Sequence, residues 1–148
     1  MKARALVLIV ALFLAVSVCF AGNPNMGTWK LNEAKSQFAP GATKNTTVVY
    51  EVAGDKVKVT TDGTTGDGQP AHSEWTGKFD GKFYPVTGDP NTDERAYKKI
   101  DDRTLEITNK KAGQVTTSGR IVVSADGKSR TVSIKGKAGA STAVYDKQ

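Results

Sequence analysis

Between residues 71 and 79 the odd positions hold Ala71, Ser73, Trp75, Gly77 and Phe79, while the even ones hold His72, Glu74, Thr76 and Lys78. A period of two marks a strand with one wet face, because successive side chains point to opposite sides. The same split sets Leu105 and Ile107 against Glu106 and Thr108, and Val132 and Ile134 against Thr131, Ser133 and Lys135. With Gly and Asp as punctuation, the pattern predicts ten strands, at about 26–31, 46–52, 56–62, 71–80, 83–86, 94–100, 104–110, 114–123, 129–137 and 142–147. Asp80-Gly81 and Asp126-Gly127 are tight hairpin signals, since both residues tolerate positive φ. Gly54-Asp55, Asp101-Asp102 and Ala112-Gly113 are weaker ones. The segment 32–44, with Pro40-Gly41 inside it, has room for one short helical turn at most. Consecutive strands joined by short turns are antiparallel neighbours, and a meander this long hides its edges by closing on itself. The predicted fold is therefore all-β, an antiparallel up-and-down barrel of 8–10 strands in a single domain over 22–148.

Composition sharpens this reading. Residues 22–148 contain 11 Val, 4 Ile and 17 Thr but only 2 Leu and 1 Met, the β-branched bias of a pleated, half-buried surface. Leu, Ile, Val and Phe together make up only about 16% of this segment, a thin core. Regular alternation argues for a folded chain all the same, with a narrow or partly polar interior. Residues 1–21 read as a signal peptide. Lys2 and Arg4 give a positive start, 5–20 is free of charge, and Cys19-Phe20-Ala21 offers a small residue at each cleavage-site position. The expected product is exported, periplasmic or extracellular. Cys19 is the sole cysteine, so 22–148 can form no disulfide. Lipidation at Cys19 is the alternative, which Val18 disfavours because the preceding residue is normally small.

Charge then excludes partners. The formal net charge of +6 falls to about +4 without Lys2 and Arg4, too little for a strongly basic nucleic-acid binder. Lys98-Lys99 and Lys110-Lys111 are isolated pairs, and Lys128, Arg130, Lys135 and Lys137 lie along one hairpin as solvated strand faces or a modest positive strip. No apolar run in 22–148 would span a bilayer, and the strands lack the lipid-facing band of an outer-membrane barrel, so no stable membrane insertion is expected.

Candidate chemistry is sparse. His72 is the sole histidine and lies on the polar face beside Glu74, where it reads as a surface pair. With Tyr84 these are the only plausible acid/base groups, and no serine sits in a nucleophile-elbow pattern, so no catalytic residue is assigned and no enzyme is expected. One histidine falls short of a transition-metal site, and no cofactor is implied. Asp89-Pro90-Asn91-Thr92-Asp93 imitates the start of a calcium loop, but Glu94 stands where Gly is needed and Ile100 where the bidentate Glu is needed. The glycine-rich stretch 63–68 lacks the Lys-Ser/Thr of a phosphate loop and reads as a hairpin loop at a barrel mouth.

Gly27-Thr28-Trp29 resembles the G-x-W opening of the calycins, the superfamily of lipocalins and intracellular fatty-acid-binding proteins, and 143–147 resembles the final strand of the fatty-acid-binding branch. Gly27-Thr28-Trp29-Lys30-Leu31-Asn32, Ala34-Lys35-Ser36, Phe38, Pro40-Gly41 and Asp101-Asp102-Arg103-Thr104 are also similar to a group of uncharacterised secreted bacterial proteins. The calycin resemblance implies that Gly27 and Trp29 are structural, the indole plugging one barrel end beneath an Arg from a late strand, Arg130 or Arg120. An ordinary core Trp is the alternative. The fatty-acid branch carries an Arg two residues before its last-strand Tyr to hold the ligand carboxylate, and here Tyr145 is preceded at that spacing by Ala143.

Alternation sends Trp75, Phe79, Arg95, Tyr97 and Tyr145 inward, a set that combines apolar walls with polar tips. These are the candidate binding residues for a small apolar or amphipathic ligand. The rival reading is a filled barrel acting through its outer face as an interaction or structural module. The sequence carries no signal of oligomeric state.

Overall fold

The computed structural model describes residues 22–148, so the signal-peptide expectation for 1–21 lies outside the described residues. Ten strands follow one another: β1 (Gly27–Gln37), β2 (Lys44–Ala53), β3 (Lys56–Thr64), β4 (Pro70–Gly77), β5 (Asp80–Thr87), β6 (Glu94–Lys99), β7 (Thr104–Lys111), β8 (Gln114–Val123), β9 (Ser129–Gly136) and β10 (Gly139–Lys147). Each pairs antiparallel with the next, and β1 pairs with β10, so the sheet closes into a ten-stranded up-and-down barrel. Trp29 lies at the join, opposite Val48 of β2 on one side and Lys147 of β10 on the other.

Two local expectations are corrected. First, the opening strand does not end at 31. β1 runs on to Gln37 across a register shift between Asn32 and Gln37, and Ser36 Oγ accepts the Val144 N–H at 2.9 Å while donating to the Asn32 carbonyl at 2.7 Å. A serine hydroxyl thus carries the ladder over the irregularity, and only 38–43 remains as connection. Second, Asp80-Gly81 is not the β4–β5 turn, which falls at 78–79. Gly81, with φ +79°, sits where the β5–β6 register shifts between Asp80 and Phe83. The dipeptide serves a bulge, which needs the same left-handed backbone as a turn.

The turns at 54–55, 78–79, 100–103 and 124–128 gather at one end, and the connections 38–43, 65–69, 88–93, 112–113 and 137–138 at the other. The first end is packed solid. Trp29, Val57, Val59, Trp75, Leu105 and Val123 are all essentially without exposure. Trp75 meets Tyr97 edge-on at 4.7 Å between centroids, Phe79 lies stacked on it at 6.4 Å, and Tyr84 completes the cluster edge-on at 5.7 Å. The two indole N–H groups are both used: Trp29 Nε1 donates to the Asn25 carbonyl and Trp75 Nε1 to the Arg95 carbonyl, each at 2.9 Å. Hydrogen-bonding the ring's single polar atom lets so large an apolar body be buried without a desolvation penalty at its N–H. One seam is thin. β4 and β5 are paired only at Glu74–Thr87 and Trp75–Val86.

Candidate functional site

Above the packed end the barrel is open inside, with a cavity of about 480 Å³. Its floor is made by Tyr50, Tyr97, Arg130 and Tyr145. One wall is polar: Thr61 and Ser73 share a hydroxyl–hydroxyl bond at 2.6 Å, Arg95 Nε donates to Asn109 Oδ1 at 2.6 Å, and Asn109 Nδ2 donates on to Thr117 Oγ1 at 2.7 Å. The other wall, from β8 through β10 to β2, is aliphatic, with Ile121, Val132, Ile134, Ala143 and Val48. The connection 38–43 and the 89–92 turn border its mouth. Ala39 N–H is tied to Ser141 Oγ at 2.8 Å, which pins the first of these to β10.

Arg130 is the centrepiece of the floor. It is 2% exposed, and its guanidinium carbon lies 4.8 Å from the Trp29 ring centre and 4.9 Å from those of Tyr50 and Tyr145. Aromatic faces attract a cation but offer its N–H groups no acceptor, and Nε and Nη1 have no hydrogen-bond partner. Arg130 therefore leaves the outward positive strip of the β8–β9 hairpin and turns inward. Arg120, the other candidate partner for Trp29, is exposed. Gly27, at φ +104°, adopts a conformation that favours glycine where the chain enters β1, two residues before Trp29.

Burial, offset in part by the Arg130 charge and reinforced by Tyr50, pushes the Tyr145 phenol up to about 12, and its hydroxyl donates to the Asn45 carbonyl at 2.9 Å. Tyr97 is raised as well, by burial first and then by Tyr50, while Arg95 and Arg130 both pull it down. At neutral pH these phenols are hydrogen-bonding groups, not charges.

Of the residues assigned from alternation, Arg95, Tyr97 and Tyr145 line the cavity. Trp75 and Phe79 lie beneath it in the aromatic cluster. Tyr50, Thr61, Asn109 and Arg130 line it too, and the same rule applied further along each strand would have found them. They continue the inward series Val48–Tyr50, Val57–Val59–Thr61, Leu105–Ile107–Asn109 and Arg130–Val132–Ile134.

His72 points outward. Its Nδ1 lies 2.6 Å from Asp62 Oδ1 and its Nε2 3.6 Å from Glu74 Oε1, so Asp62 is the principal partner and raises its pKa. Tyr84 hydroxyl donates instead to Asp80 Oδ2 at 2.8 Å, so the three acid/base candidates do not converge. Among the described residues no group of three or more His, Cys, Asp or Glu is placed to hold a metal ion, and no helix is long and apolar enough to cross a membrane.

The molecule belongs to the class of closed, ten-stranded antiparallel barrels with an interior cavity. No family model matches the chain, and no curated protein matches it. Solved structures do. A protein described as the REP1-NXSQ fatty acid transporter is similar with a TM-score of 0.55 at 16% identity, over 83% of this chain and 95% of that one. A redesigned β-barrel, mFAP1, bound to DFHBI, gives a TM-score of 0.46 at 15% identity, over 86% of this chain and 98% of that one. At such identities the first likeness is one of fold.

Proposed function

We propose that this is an exported binding protein, calycin-like in architecture, that holds a small amphipathic molecule in its interior without transforming it. The observation that carries the reading is the cavity itself: about 480 Å³ of interior space, open at one end, with an aliphatic wall facing a hydrogen-bonding one. That volume lies within the range of small-molecule sites, and a few convergent polar groups in an apolar enclosure are their usual chemistry. The fold likeness to a protein described as a fatty acid transporter supports the same reading by analogy. The pattern of residues 1–21 supports export. The separation of His72 from the cavity supports binding over catalysis by that histidine.

Native mass spectrometry of the protein purified gently from a periplasm, followed by denaturing release, tests this directly. A stoichiometric adduct in the wild type that disappears in Ala143→Phe is the expected result, because Ala143 lines the aliphatic wall and a benzyl side chain there would occupy the ligand's space. An adduct that survives the substitution unchanged would place binding elsewhere and favour a module acting through its outer face.

A further inference from the structure

The cavity lining carries an excess of positive charge, Arg95, Arg130 and Lys137 against Asp89. Arg95 is 8% exposed and Arg130 2%, and an arginine stays ionised even when buried. The ion pairs of the described residues are elsewhere: Lys44–Glu33, Lys58–Glu74, His72 with Asp62 and Glu74, Lys78–Asp55 and Lys99–Asp102. None reaches Arg95 or Arg130. Arg95 gives its Nε to a neutral acceptor, Asn109 Oδ1, and Arg130 keeps Nε and Nη1 without any, both covered among the rings, so that Nη2 is the nitrogen left to face the cavity. Asp89 is the one carboxylate among the cavity-lining residues. It sits at the mouth, where its Oδ1 accepts the Asn91 N–H at 2.8 Å within its own turn. A buried cation with no counter-charge is strongly unfavourable and is retained where something else supplies the charge.

We propose that the cavity is built for a compact organic anion, whose carboxylate or equivalent group meets the guanidinium groups of Arg95 and Arg130 and whose apolar body lies against Ile121, Val132 and Ile134. This rests on the interior-binding reading and adds the ligand's charge and shape to it. The shape follows from how the linings are disposed. Polar and aliphatic walls face each other across the barrel's width, while the floor of tyrosines closes the space below and the 38–43 connection borders the mouth above. A molecule with one charged edge and an opposite apolar edge, such as an aromatic or alicyclic acid, matches both walls at once. A long straight chain with a charge at its end does not. A free anion is favoured over a neutral isostere because only the anion offsets part of the guanidinium charge in a low-dielectric interior.

Calorimetric titration of the full folded protein with 2-naphthoate, 2-naphthylmethanol and hexadecanoate tests the proposal. The expected result is 2-naphthoate bound at least tenfold more tightly than the neutral alcohol and more tightly than hexadecanoate. Arg95→Gln and Arg130→Met should each shrink the acid-to-alcohol ratio to within threefold while the alcohol still binds. Arg130 also packs against three rings, so Arg95→Gln decides the matter if Arg130→Met does not fold. Equal binding of acid and alcohol to the wild type would overturn the anion assignment and leave interior binding standing, and tighter binding of hexadecanoate would overturn the compact shape. Failure of all three probes, together with a protein that carries no adduct in native mass spectrometry, would overturn the interior-binding reading itself. If an adduct is present, a released molecule without an acidic group would overturn the anion assignment alone.

Discussion

Trp29 closes one end of the barrel with its whole side chain buried and its N–H given to the Asn25 carbonyl. Trp29→Ala should cost about 3–5 kcal/mol of stability, the range for truncating a buried Trp, measured as a lowered urea midpoint with little change in m. Tyr145 supplies a pH signature. Its folded-state pKa of about 12 exceeds the ordinary 10.0, so the neutral phenol is favoured by folding. That contribution is fully present below pH 10 and is lost as pH rises through about 12. Urea midpoints should therefore fall across that alkaline window, and Tyr145→Phe should reduce the fall. His72 titrates in the same sense in another range. Asp62 raises its pKa, so the associated stabilisation is present below the ordinary histidine value of 6.5 and fades as pH climbs through the raised one. Proton NMR should find the His72 midpoint above the ordinary value, and Asp62→Asn should bring it back. At this scale alternation was a sound guide to direction. It placed Trp75, Arg95, Tyr97 and Tyr145 inside, but it carries no depth, so it could not tell that Trp75 packs below the cavity while Arg95 lines it.

The strands themselves were legible because β-branched and aromatic residues alternate with polar ones between glycine-rich turns, and all ten are present. What alternation could not show is where a strand breaks step. β1 continues past Asn32 by way of the Ser36 hydroxyl, a side chain standing in for a backbone partner, and nothing in residue type announces that. Gly81 was recognised as needing a left-handed backbone, yet a bulge and a turn make the same demand. Gly119, in the middle of β8, is a further element-scale constraint. A Cβ there would lie 1.9 Å from the Ser133 carbonyl oxygen of β9, so Gly119→Ala must move one strand from the other. Overpacking of this kind costs typically about 1–3 kcal/mol. Thermal unfolding should show a lowered midpoint for Gly119→Ala, and amide exchange should quicken in β8 and β9 rather than uniformly.

For the whole molecule, the scarcity of Leu, Ile, Val and Phe has a physical explanation: only one half of the interior is filled by apolar packing, and the other half is walled partly by threonine, serine, asparagine and arginine. A thin core was therefore a record of a cavity, although composition alone could equally describe a narrow barrel. The closed ladder also has one weak stretch, the two-pair contact between β4 and β5. A hoop opens first at the stave held by the fewest pegs. Backbone groups along that junction have the least cooperative protection, so opening there exposes interior to water without unfolding the remaining strands.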